Sequence, residues 1–264
     1  MAGTFPPTTE LEGLTLVIPS RNEATSLGPV LRNWWTQRPT GVPFRILVVD
    51  DASDDDTARA LSELEPEMAV TSIRNPARLG FGGALRVGIH HTTTKWIAFT
   101  DADGQYDPSD LPRLLAALKA GGDLATGLRS PRADSFFRKT VSIGFRNLVY
   151  MFFQLRSRDP TTSLRAGRTE RVREVARQTR YMNGSFWNEF LIRWKRAGFS
   201  WVEVPVRHYR RRAGRSKVAA GGQFARLSVR EFIALLRLWR EIHRLELPAA
   251  STAHSSAKAL EADR

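Results

Sequence analysis

The stretch Trp96-Ile-Ala-Phe-Thr-Asp-Ala-Asp-Gly-Gln105 joins a short apolar run to two carboxylates that follow it almost at once. The run over 96–100 has the length and the aromatic and β-branched content of a buried strand. The same design occurs earlier in the chain, where Phe44-Arg-Ile-Leu-Val-Val49 leads into Asp50 and Asp51. Both stretches therefore predict strands that end in acidic side chains.

Strand and helix patterns alternate around these two stretches. Further strands are predicted at 14–18, 70–73, 123–126 and 201–206. A helix is predicted at 24–37, where Leu27, Leu31 and Trp34 recur at helical spacing. Residues 80–90 are predicted as a loop that runs into a helix, and further helices at 57–64, 111–119, 136–155, 184–196 and 223–247. Strands separated by helices indicate an α/β fold with a mostly parallel sheet flanked by helices.

Composition places the chain among globular proteins that can bury a sizeable core. It has 264 residues, of which 42% are hydrophobic and 25% charged, both ordinary values for a soluble domain. It has no cysteine, so disulfides and thiolate metal sites are excluded. The first residues lack the basic start and apolar core of a secretory signal. Because no uncharged apolar run reaches the ~18 residues of a spanning helix, we expect no transmembrane segment.

The two halves of the chain differ strongly in charge. Residues 1–128 hold 11 basic and 16 acidic side chains, whereas residues 129–264 hold 29 basic and 11 acidic ones. A basic half of this kind is typical of proteins that bind nucleic acid, anionic lipid or phosphorylated substrates. A solvated basic surface is an equal alternative, and the acidic half is suited to a bound cation.

Asp101 and Asp103 form the clearest candidate metal site. Two carboxylates at the end of one strand can share a divalent cation, and oxygen ligands suit Mg²⁺ or Mn²⁺. An EF-hand is excluded, because Gly104 and Pro112 stand at loop positions 4 and 12, where glycine is needed at 6 and glutamate at 12. A plain acidic turn is the remaining alternative for this motif taken alone.

Two other segments admit a binding or a structural interpretation. Asp50, Asp51 and Ser53 follow a strand, where they can accept hydrogen bonds from a nucleobase or ribose, or cap the next helix. Gly80-Phe-Gly82-Gly83 can bring backbone close to a phosphate, but it is not a G-x-G-x-x-G motif, and no Walker A motif occurs. A nucleotide triphosphatase or a dehydrogenase is therefore poorly supported.

Several motifs in a fixed order carry a resemblance to a known family. Val17-Ile-Pro-Ser-Arg-Asn-Glu23, Val48-Val-Asp-Asp-Ala-Ser53 and Asp101-Ala-Asp103 resemble the corresponding segments of family 2 glycosyltransferases of the GT-A fold. The resemblance continues through Thr126-Gly-Leu-Arg129 and the segments 159–165, 184–189 and 203–206. The final motif, Arg211-x-x-Gly-x-Ser-Lys217, is similar to dolichyl- and polyprenyl-phosphate mannose or glucose synthases. The sequence departs from the family pattern at two places. The family's glycine is missing near Leu164, and Ser20-Arg21 replaces the usual aromatic residue. The identities of the sugar and the nucleobase therefore stay open.

The resemblance implies a GT-A (Rossmann-like) sheet, a nucleoside-diphosphate sugar donor, a divalent cation (Mg²⁺ or Mn²⁺) and a polyprenyl-phosphate acceptor. The residues it assigns to the nucleotide sugar are Pro19, Glu23, Asp51, Ser53 and Asp101. Those it assigns to the metal are Asp101, Asp103 and Gln105.

The same resemblance assigns residues to phosphate binding and to catalysis. The phosphate-binding residues would be Arg129, Arg132, Arg211, Ser216 and Lys217. Asp159 would be a base or an acceptor-site carboxylate, and with Asp103 and Arg129 it forms the expected catalytic set. The expected reaction is an inverting transfer of a hexose.

The helix predicted at 223–247 is rich in arginine on one face and in Leu, Phe and Trp elsewhere. Such a helix lies either at a membrane interface or against the catalytic domain, and a lipid acceptor favours the interface. We therefore expect a peripheral protein on the cytoplasmic face of an anionic membrane. The predicted organisation is a tail over 1–13, a catalytic domain over 14–217, the interfacial helix over 218–248 and a disordered tail over 249–264.

Two other functions compete with transfer to a lipid phosphate. The first is a GT-A transferase that acts on a soluble or protein acceptor, which the Arg211–Lys217 motif disfavours. A basic nucleic-acid-binding module would carry base-stacking aromatic residues among its basic ones. Because the basic run over 207–217 contains Tyr209 as its one aromatic residue, no nucleic-acid partner is expected.

Overall fold

The computed structural model describes residues 11–64, 68–130, 136–210 and 222–246. The strands in this part of the chain are β1 (Leu11–Ser20), β2 (Phe44–Asp50), β3 (Val70–Arg74), β4 (Thr94–Phe99), β5 (Leu124–Arg129), β6 (Arg165–Arg168) and β7 (Trp201–Val206). The α-helices are α1 (Ala24–Thr36), α2 (Thr57–Leu64), α3 (Phe81–His91), α4 (Leu111–Lys119), α5 (Phe136–Phe153), α6 (Thr169–Ala176), α7 (Phe186–Arg196) and α8 (Gly222–Glu246).

The strands form one sheet in the order β3-β2-β1-β4-β6-β5-β7. β6 runs antiparallel to β4 and β5, and the remaining pairs are parallel. The pairing aligns Ser20 with Asp50 and Val17 with Phe99. The carboxyl ends of β1, β2 and β4 therefore meet at one edge, which is where ligands bind in open α/β sheets.

The strands direct apolar side chains to both faces of the sheet, and helices cover each face. In β1, Leu14, Leu16 and Ile18 join the core that packs under α1, α2 and α4, whereas Val17 joins the core under α3, α6, α7 and α8. Side chains two residues apart on a strand point to the same face. The predicted α/β fold with a mostly parallel sheet is confirmed.

Two elements were not predicted. The β6 sequence, Arg-Ala-Gly-Arg, lacks the β-branched and aromatic residues that mark a strand. Its place between β4 and β5 comes from backbone pairing in the tertiary structure. The α6 sequence, Thr-Glu-Arg-Val-Arg-Glu-Val-Ala, carries too few apolar residues for a confident helical pattern, although Val172 and Val175 are fully buried.

Helix α8 packs against the body of the protein. Ala234, Leu235, Leu238 and Ile242 are buried in the core that α8 shares with α7. Two ion pairs fasten the same helix, since Glu241 lies 3.0 Å from Arg193 and 3.6 Å from Arg180. Across the described segments, no helix combines the length and the apolar character needed to cross a bilayer.

Candidate active site

The end of β2 is built around two buried carboxylates. Asp50 accepts hydrogen bonds from the backbone N–H of Ser53 at 3.0 Å and from Arg74 at 3.2 Å. The hydroxyl of Ser53 also bonds to Asp50 and accepts from the N–H of Asn22 at 3.0 Å. Ser53, predicted to bind the donor, thus joins the ends of β1 and β2.

Asp51 organises the segment that leads into α3. Its carboxylate accepts hydrogen bonds from Asn75 Nδ2 at 2.9 Å, from the N–H of Leu79 at 2.7 Å and from the N–H of Gly80 at 2.8 Å. Gly80 has a φ of 78°, a conformation that favours glycine. The structure therefore gives the predicted nucleoside ligand Asp51 a positioning role at the edge of the sheet.

The β1–α1 turn holds the other two residues predicted to contact the nucleoside. Pro19 is half-buried and pairs in register with Val49. Glu23 donates its backbone N–H to Thr57 Oγ1 at 3.0 Å, and its carboxylate accepts from Ser26 Oγ at 2.7 Å. The turn is thus tied to the start of α2, and both residues lie at the same edge as Asp51.

Asp101 and Asp103 lie directly beyond β4 and face two different cavities. Asp101 lines a cavity of about 420 Å³ between α3 and α7, called here the α3–α7 cavity. Asp103 lines a cavity of about 320 Å³ beside α1, called here the α1 cavity. Both carboxylates are half-buried, and the buried Ala102 lies between them. The segment 101–103, called here the ridge, therefore lies between the two cavities.

The donor set of this ridge fits a hard divalent cation. Both side chains offer carboxylate oxygens, and Asp103 Oδ1 accepts from the N–H of Gln105 at 3.1 Å, which fixes its orientation. Within the described residues, no group of three or more acidic or histidine side chains is close enough to hold a metal ion. Mg²⁺ is usually held by one or two carboxylates, with substrate phosphates and waters filling the other positions, so the two carboxylates of Asp101 and Asp103 are the ligands that the protein would supply.

Gln105 connects the acidic motif to the segment that follows β7. Gln105 Nε2 donates to the carbonyl of Tyr209 at 2.8 Å, and the N–H of Tyr209 donates to the carbonyl of Gln105 at 2.8 Å. Tyr106 and His208 form a β-bridge beside them. The amide nitrogen of Gln105 is thus engaged by backbone, and its predicted part in metal binding remains a prediction.

Arg207, the first cation of the basic run, is held by two acidic side chains. It lies 3.0 Å from Asp107 and 3.2 Å from Asp110. Partial burial raises the pKa of Asp107, but hydrogen bonds from Ser109 and Tyr209 and the charge of Arg207 outweigh it and hold that pKa below its usual range. The start of the basic run is therefore fastened to the loop that carries Asp103.

Arg129 and Asp159, both predicted to act in catalysis, form a bidentate ion pair. Arg129 Nε and Nη2 each lie 2.7 Å from an oxygen of Asp159, and the N–H of Arg129 adds a bond of 3.3 Å. The side chains are 10% and 2% exposed. Arg129 also donates to Thr161 Oγ1 at 2.9 Å, so the pair leads to the wall of the α3–α7 cavity. An aspartate held in this way is better suited to positioning than to proton removal.

Arg165 is a buried cation. The sequence placed it in the motif over 159–165 but predicted no role for it. It is 0% exposed and donates to the carbonyls of Thr162 at 2.9 Å and Pro160 at 2.7 Å. Its guanidinium stacks 4.5 Å from the ring of Trp187. Burial lowers the pKa of Arg165 to about 9, although Asp159 opposes the shift. Arg165 thereby braces the loop that carries Asp159 and Thr161.

Two residues that line the α3–α7 cavity have buried polar atoms without a hydrogen-bond partner among the described residues. Asn188 is 0% exposed and Trp187 is 2% exposed. Neither Asn188 Nδ2, Asn188 Oδ1 nor Trp187 Nε1 has a hydrogen-bond partner among the described residues. Buried polar groups are almost always paired, so these three atoms in the wall of the cavity are exceptions. The residues that line it are Arg78, Gly80, Phe81, Asp101, Thr161, Ser163, Asn183, Gly184, Ser185, Phe186, Trp187, Asn188 and Arg230.

Two further hydroxyl groups at the strand ends were missed. Ser20 ends β1 and Thr100 follows β4, both are almost fully buried, and neither hydroxyl has a partner among the described residues. The sequence did contain a signal for them: each is a serine or threonine at the end of an apolar run, close to the aspartates of the same sheet edge. Trp187 and Asn188 gave no such signal, because an aromatic and an amide on an apolar helix read as core.

The remaining predicted site residues cannot be placed. Arg132, Arg211, Ser216 and Lys217 lie outside the described residues. The described chain nevertheless reaches Arg210, one residue beyond Tyr209 and its pairing with Gln105.

Comparison with known proteins identifies the sequence. The model of glycosyl transferase family 2 matches residues 15–176. A Mycobacterium bovis protein named as an uncharacterized glycosyltransferase is 33% identical over 237 residues, which are 88% of this chain and 98% of that protein. An undecaprenyl-phosphate 4-deoxy-4-formamido-L-arabinose transferase of Klebsiella pneumoniae is 37% identical over 149 residues, which are 55% of this chain and 45% of the relative. The match thus spans less than half of that second relative.

Solved structures share the fold. A glucosyl-3-phosphoglycerate synthase from Mycobacterium tuberculosis, in complex with Mn²⁺, UDP-glucose and phosphoglyceric acid, superimposes with a TM-score of 0.66 over 92% of this chain and 85% of that chain, at 18% identity. The same enzyme in complex with Mg²⁺ and UDP gives a TM-score of 0.65 over 86% of this chain and 79% of that chain, also at 18% identity. At this identity the likeness establishes the architecture of the sheet and its helices.

Proposed function

The chain belongs to glycosyltransferase family 2, and from that membership we propose that it is an inverting hexosyltransferase that acts on a polyprenyl-phosphate acceptor. The donor in this proposal is a nucleoside-diphosphate sugar bound at the edge formed by β1, β2 and β4. Support for the donor comes from the position of Pro19, Glu23 and Asp51 at that edge. Support for the lipid acceptor comes from the partial relative that uses undecaprenyl phosphate and from the surface described next.

The observation that carries the lipid acceptor is an exposed apolar surface on α5 and α8, here called the outer face. On α8, Val229, Phe232 and Ile233 are 59%, 40% and 43% exposed, and on α5 Met151 is 60% exposed. The two helices adjoin, since the rings of Phe152 and Trp239 lie 6.1 Å apart. Val229, Phe232 and Ile233 lie three to four residues apart and therefore share one side of α8, and exposed apolar patches mark interaction surfaces.

Basic side chains accompany the outer face. Arg226 and Arg237 of α8 are exposed, and the second half of the chain carries the whole excess of positive charge. Each arginine near an anionic bilayer contributes about 1 kcal/mol to binding. Apolar and basic groups together are the requirements of an interfacial helix, which supports a peripheral position on an anionic membrane.

A divalent cation at Asp101 and Asp103, with Gln105 as a further candidate ligand, is part of the proposal. When bound, such a cation offsets the negative charge that develops on the departing nucleoside diphosphate. The oxygen donors and the fixed orientation of Asp103 support this assignment. The solved structural neighbours contain Mn²⁺ or Mg²⁺ together with UDP or UDP-glucose, which is consistent with it.

The proposed chemistry is a single displacement. An oxygen of the acceptor phosphate forms a bond to the anomeric carbon while the bond from that carbon to the diphosphate oxygen breaks, and the electron pair leaves with the diphosphate. The second pKa of a phosphate monoester is about 6, so the attacking oxygen is already ionised and no proton must be removed. The role proposed for Asp159 is therefore to hold Arg129 and Thr161 in place beside the cavity.

The basic run after β7 supplies further candidates for phosphate binding. Arg211, Ser216 and Lys217 follow Arg210, which lies one residue from the Tyr209–Gln105 pairing. The positive charges of Arg211 and Lys217 and the hydroxyl of Ser216 complement a phosphorylated acceptor.

Transfer to a soluble phosphorylated acceptor is the second candidate function. It is favoured by the structural neighbour that was solved in complex with phosphoglyceric acid. To decide between the two, the protein is screened with UDP-glucose, GDP-mannose and other nucleotide sugars in the presence of Mn²⁺, first by thermal shift and then by transfer assay. We expect transfer to a short polyprenyl phosphate and none to 3-phosphoglycerate. Transfer to 3-phosphoglycerate alone would establish the second function.

Membrane binding is tested on the outer face. Replacing Val229, Phe232 and Ile233 together by serine should reduce co-sedimentation with phosphatidylglycerol vesicles at least tenfold, because burying such a side chain contributes about 1.5–3 kcal/mol. Val202→Ser, on an equally apolar exposed residue of β7, is the matched control and should pellet like the parent. Rising salt should release the parent as well. Equal pelleting of the triple variant would remove the outer face from the proposal.

A further inference from the structure

We propose that Arg78 and Arg230 hold the phosphate of the acceptor at the α3–α7 cavity, so that helix α8 contributes a residue to the active site. The inference rests on the proposed function and gives its acceptor a binding site. Both side chains line the cavity and both are exposed. Arg78 precedes α3, whereas Arg230 comes from α8, far along the sequence and beyond the residues that match the family model.

The backbone on either side of the cavity is anchored. Glu231, next to Arg230, is 8% exposed and accepts hydrogen bonds from the N–H groups of Gly184 at 3.1 Å and Ser185 at 3.2 Å. A carboxylate at the start of α7 is also favoured by the helix dipole. A Cβ atom on Gly184 would come within 2.7 Å of Glu231 Oε1, so the contact is close. These bonds fix the register of α8 and keep Arg230 at the cavity.

Arg78 is held from the other side. It lies between Asn75 and Gly80, and both of these residues donate hydrogen bonds to the Asp51 carboxylate, at 2.9 Å and 2.8 Å. The loop is thus tied at both ends to the strand edge that carries the proposed donor site. Two guanidinium groups on fixed backbone can grip one phosphate through charge-assisted hydrogen bonds.

The interior of the cavity indicates what the phosphate meets there. Asn188 offers both a donor and an acceptor, Trp187 Nε1 offers a donor, and none of these atoms has a partner among the described residues. Sugar hydroxyls both donate and accept, so they are the kind of group that pairs with such atoms once a side-chain movement uncovers them. Asp101 lines the same cavity. With the hexose inside and the phosphate at the two arginines, the attacking oxygen stands next to the anomeric carbon.

The test compares Arg78→Gln and Arg230→Gln with Arg240→Gln, an exposed arginine of α8 that does not line the cavity. Transfer is measured in detergent, so that membrane binding does not enter. Each cavity variant should raise the KM for a short polyprenyl phosphate roughly ten- to a hundredfold. The KM for the nucleotide sugar and the melting temperature should stay at the parent values. Arg240→Gln should match the parent in all three.

A second arm measures binding of inorganic phosphate to the same proteins by calorimetry, with 3-phosphoglycerate as a second, soluble phosphate ester. Weaker phosphate binding in both cavity variants supports the inference even if the parent transfers sugar to neither acceptor, a result that would reject the proposed function alone. An active parent whose cavity variants keep the acceptor KM, or lose affinity for the donor instead, overturns the inference and leaves the proposed function standing.

Discussion

Replacing Asp103 by alanine should abolish sugar transfer, with a loss of turnover of about a thousandfold or more. Asp103 stands on the ridge between the two cavities and offers carboxylate oxygens at the end of β4. Without it the site loses half of the negative charge proposed to hold a divalent cation. Binding of a nucleoside diphosphate, measured by calorimetry, should then no longer depend on added Mn²⁺.

The structural cost of that substitution is small, which makes the result interpretable. Asp103 is half-buried, and the hydrogen bond that it accepts from the N–H of Gln105 at 3.1 Å is worth about 1 kcal/mol. Asp56→Ala removes a carboxylate from an exposed position of the same acidic half and should keep parental activity. If Asp103→Ala turned over the donor as the parent does, the metal assignment would be wrong.

Breaking the Arg129–Asp159 pair should have the largest effect on stability. Arg129→Ala leaves a carboxylate that is 2% exposed without its bidentate partner, and loss of one member of a buried pair costs about 3–5 kcal/mol. The free energy of unfolding in urea measures this cost. Arg158→Ala is the matched control, because Arg158 pairs with Glu203 at 2.8 Å but is itself 69% exposed, and exposed pairs contribute about 0–1 kcal/mol.

Removing both charges separates stability from function. The double variant Arg129→Met with Asp159→Leu removes both charges of the pair but also the carboxylate that offsets the charge of buried Arg165, so only part of the lost stability should return. Sugar transfer should not return, because Thr161 and the cavity wall lose the pair that positions them. A double variant that recovers activity along with stability would show that the pair is structural only.

The sequence predicted the regular part of the fold and the acidic edge well. The apolar runs 46–49 of β2 and 96–99 of β4 are each followed within two residues by aspartate, and burial on both faces of the sheet produces such runs. The reversed strand β6 could not be predicted, because Arg165–Arg168 becomes a strand only through pairing with β4 and β5. Local preference carries no trace of such a tertiary contact.

The structure places several of the predicted site residues at one edge of the sheet, and their roles stay predictions. Asp51, Arg129 and Asp159 all lie at the predicted edge, yet their charges meet protein groups that are distant in sequence, such as the N–H groups of Leu79 and Gly80. A motif places a carboxylate at a strand end but does not tell which partners the fold brings to it. Asn188 was missed for the converse reason, since an amide within an apolar helix resembles an ordinary core position.

Helix α8 has consequences for how this protein can evolve. On its inward side, Leu235 and Leu238 are buried in the core, and Glu231 is hydrogen-bonded to the segment before α7. On its outward side, Val229, Phe232 and Ile233 are exposed. If α8 binds a membrane and contributes Arg230 to the acceptor site as proposed, the exposed side can change by drift while selection on folding preserves the buried side. Under that proposal, membrane attachment can change in evolution without loss of the fold.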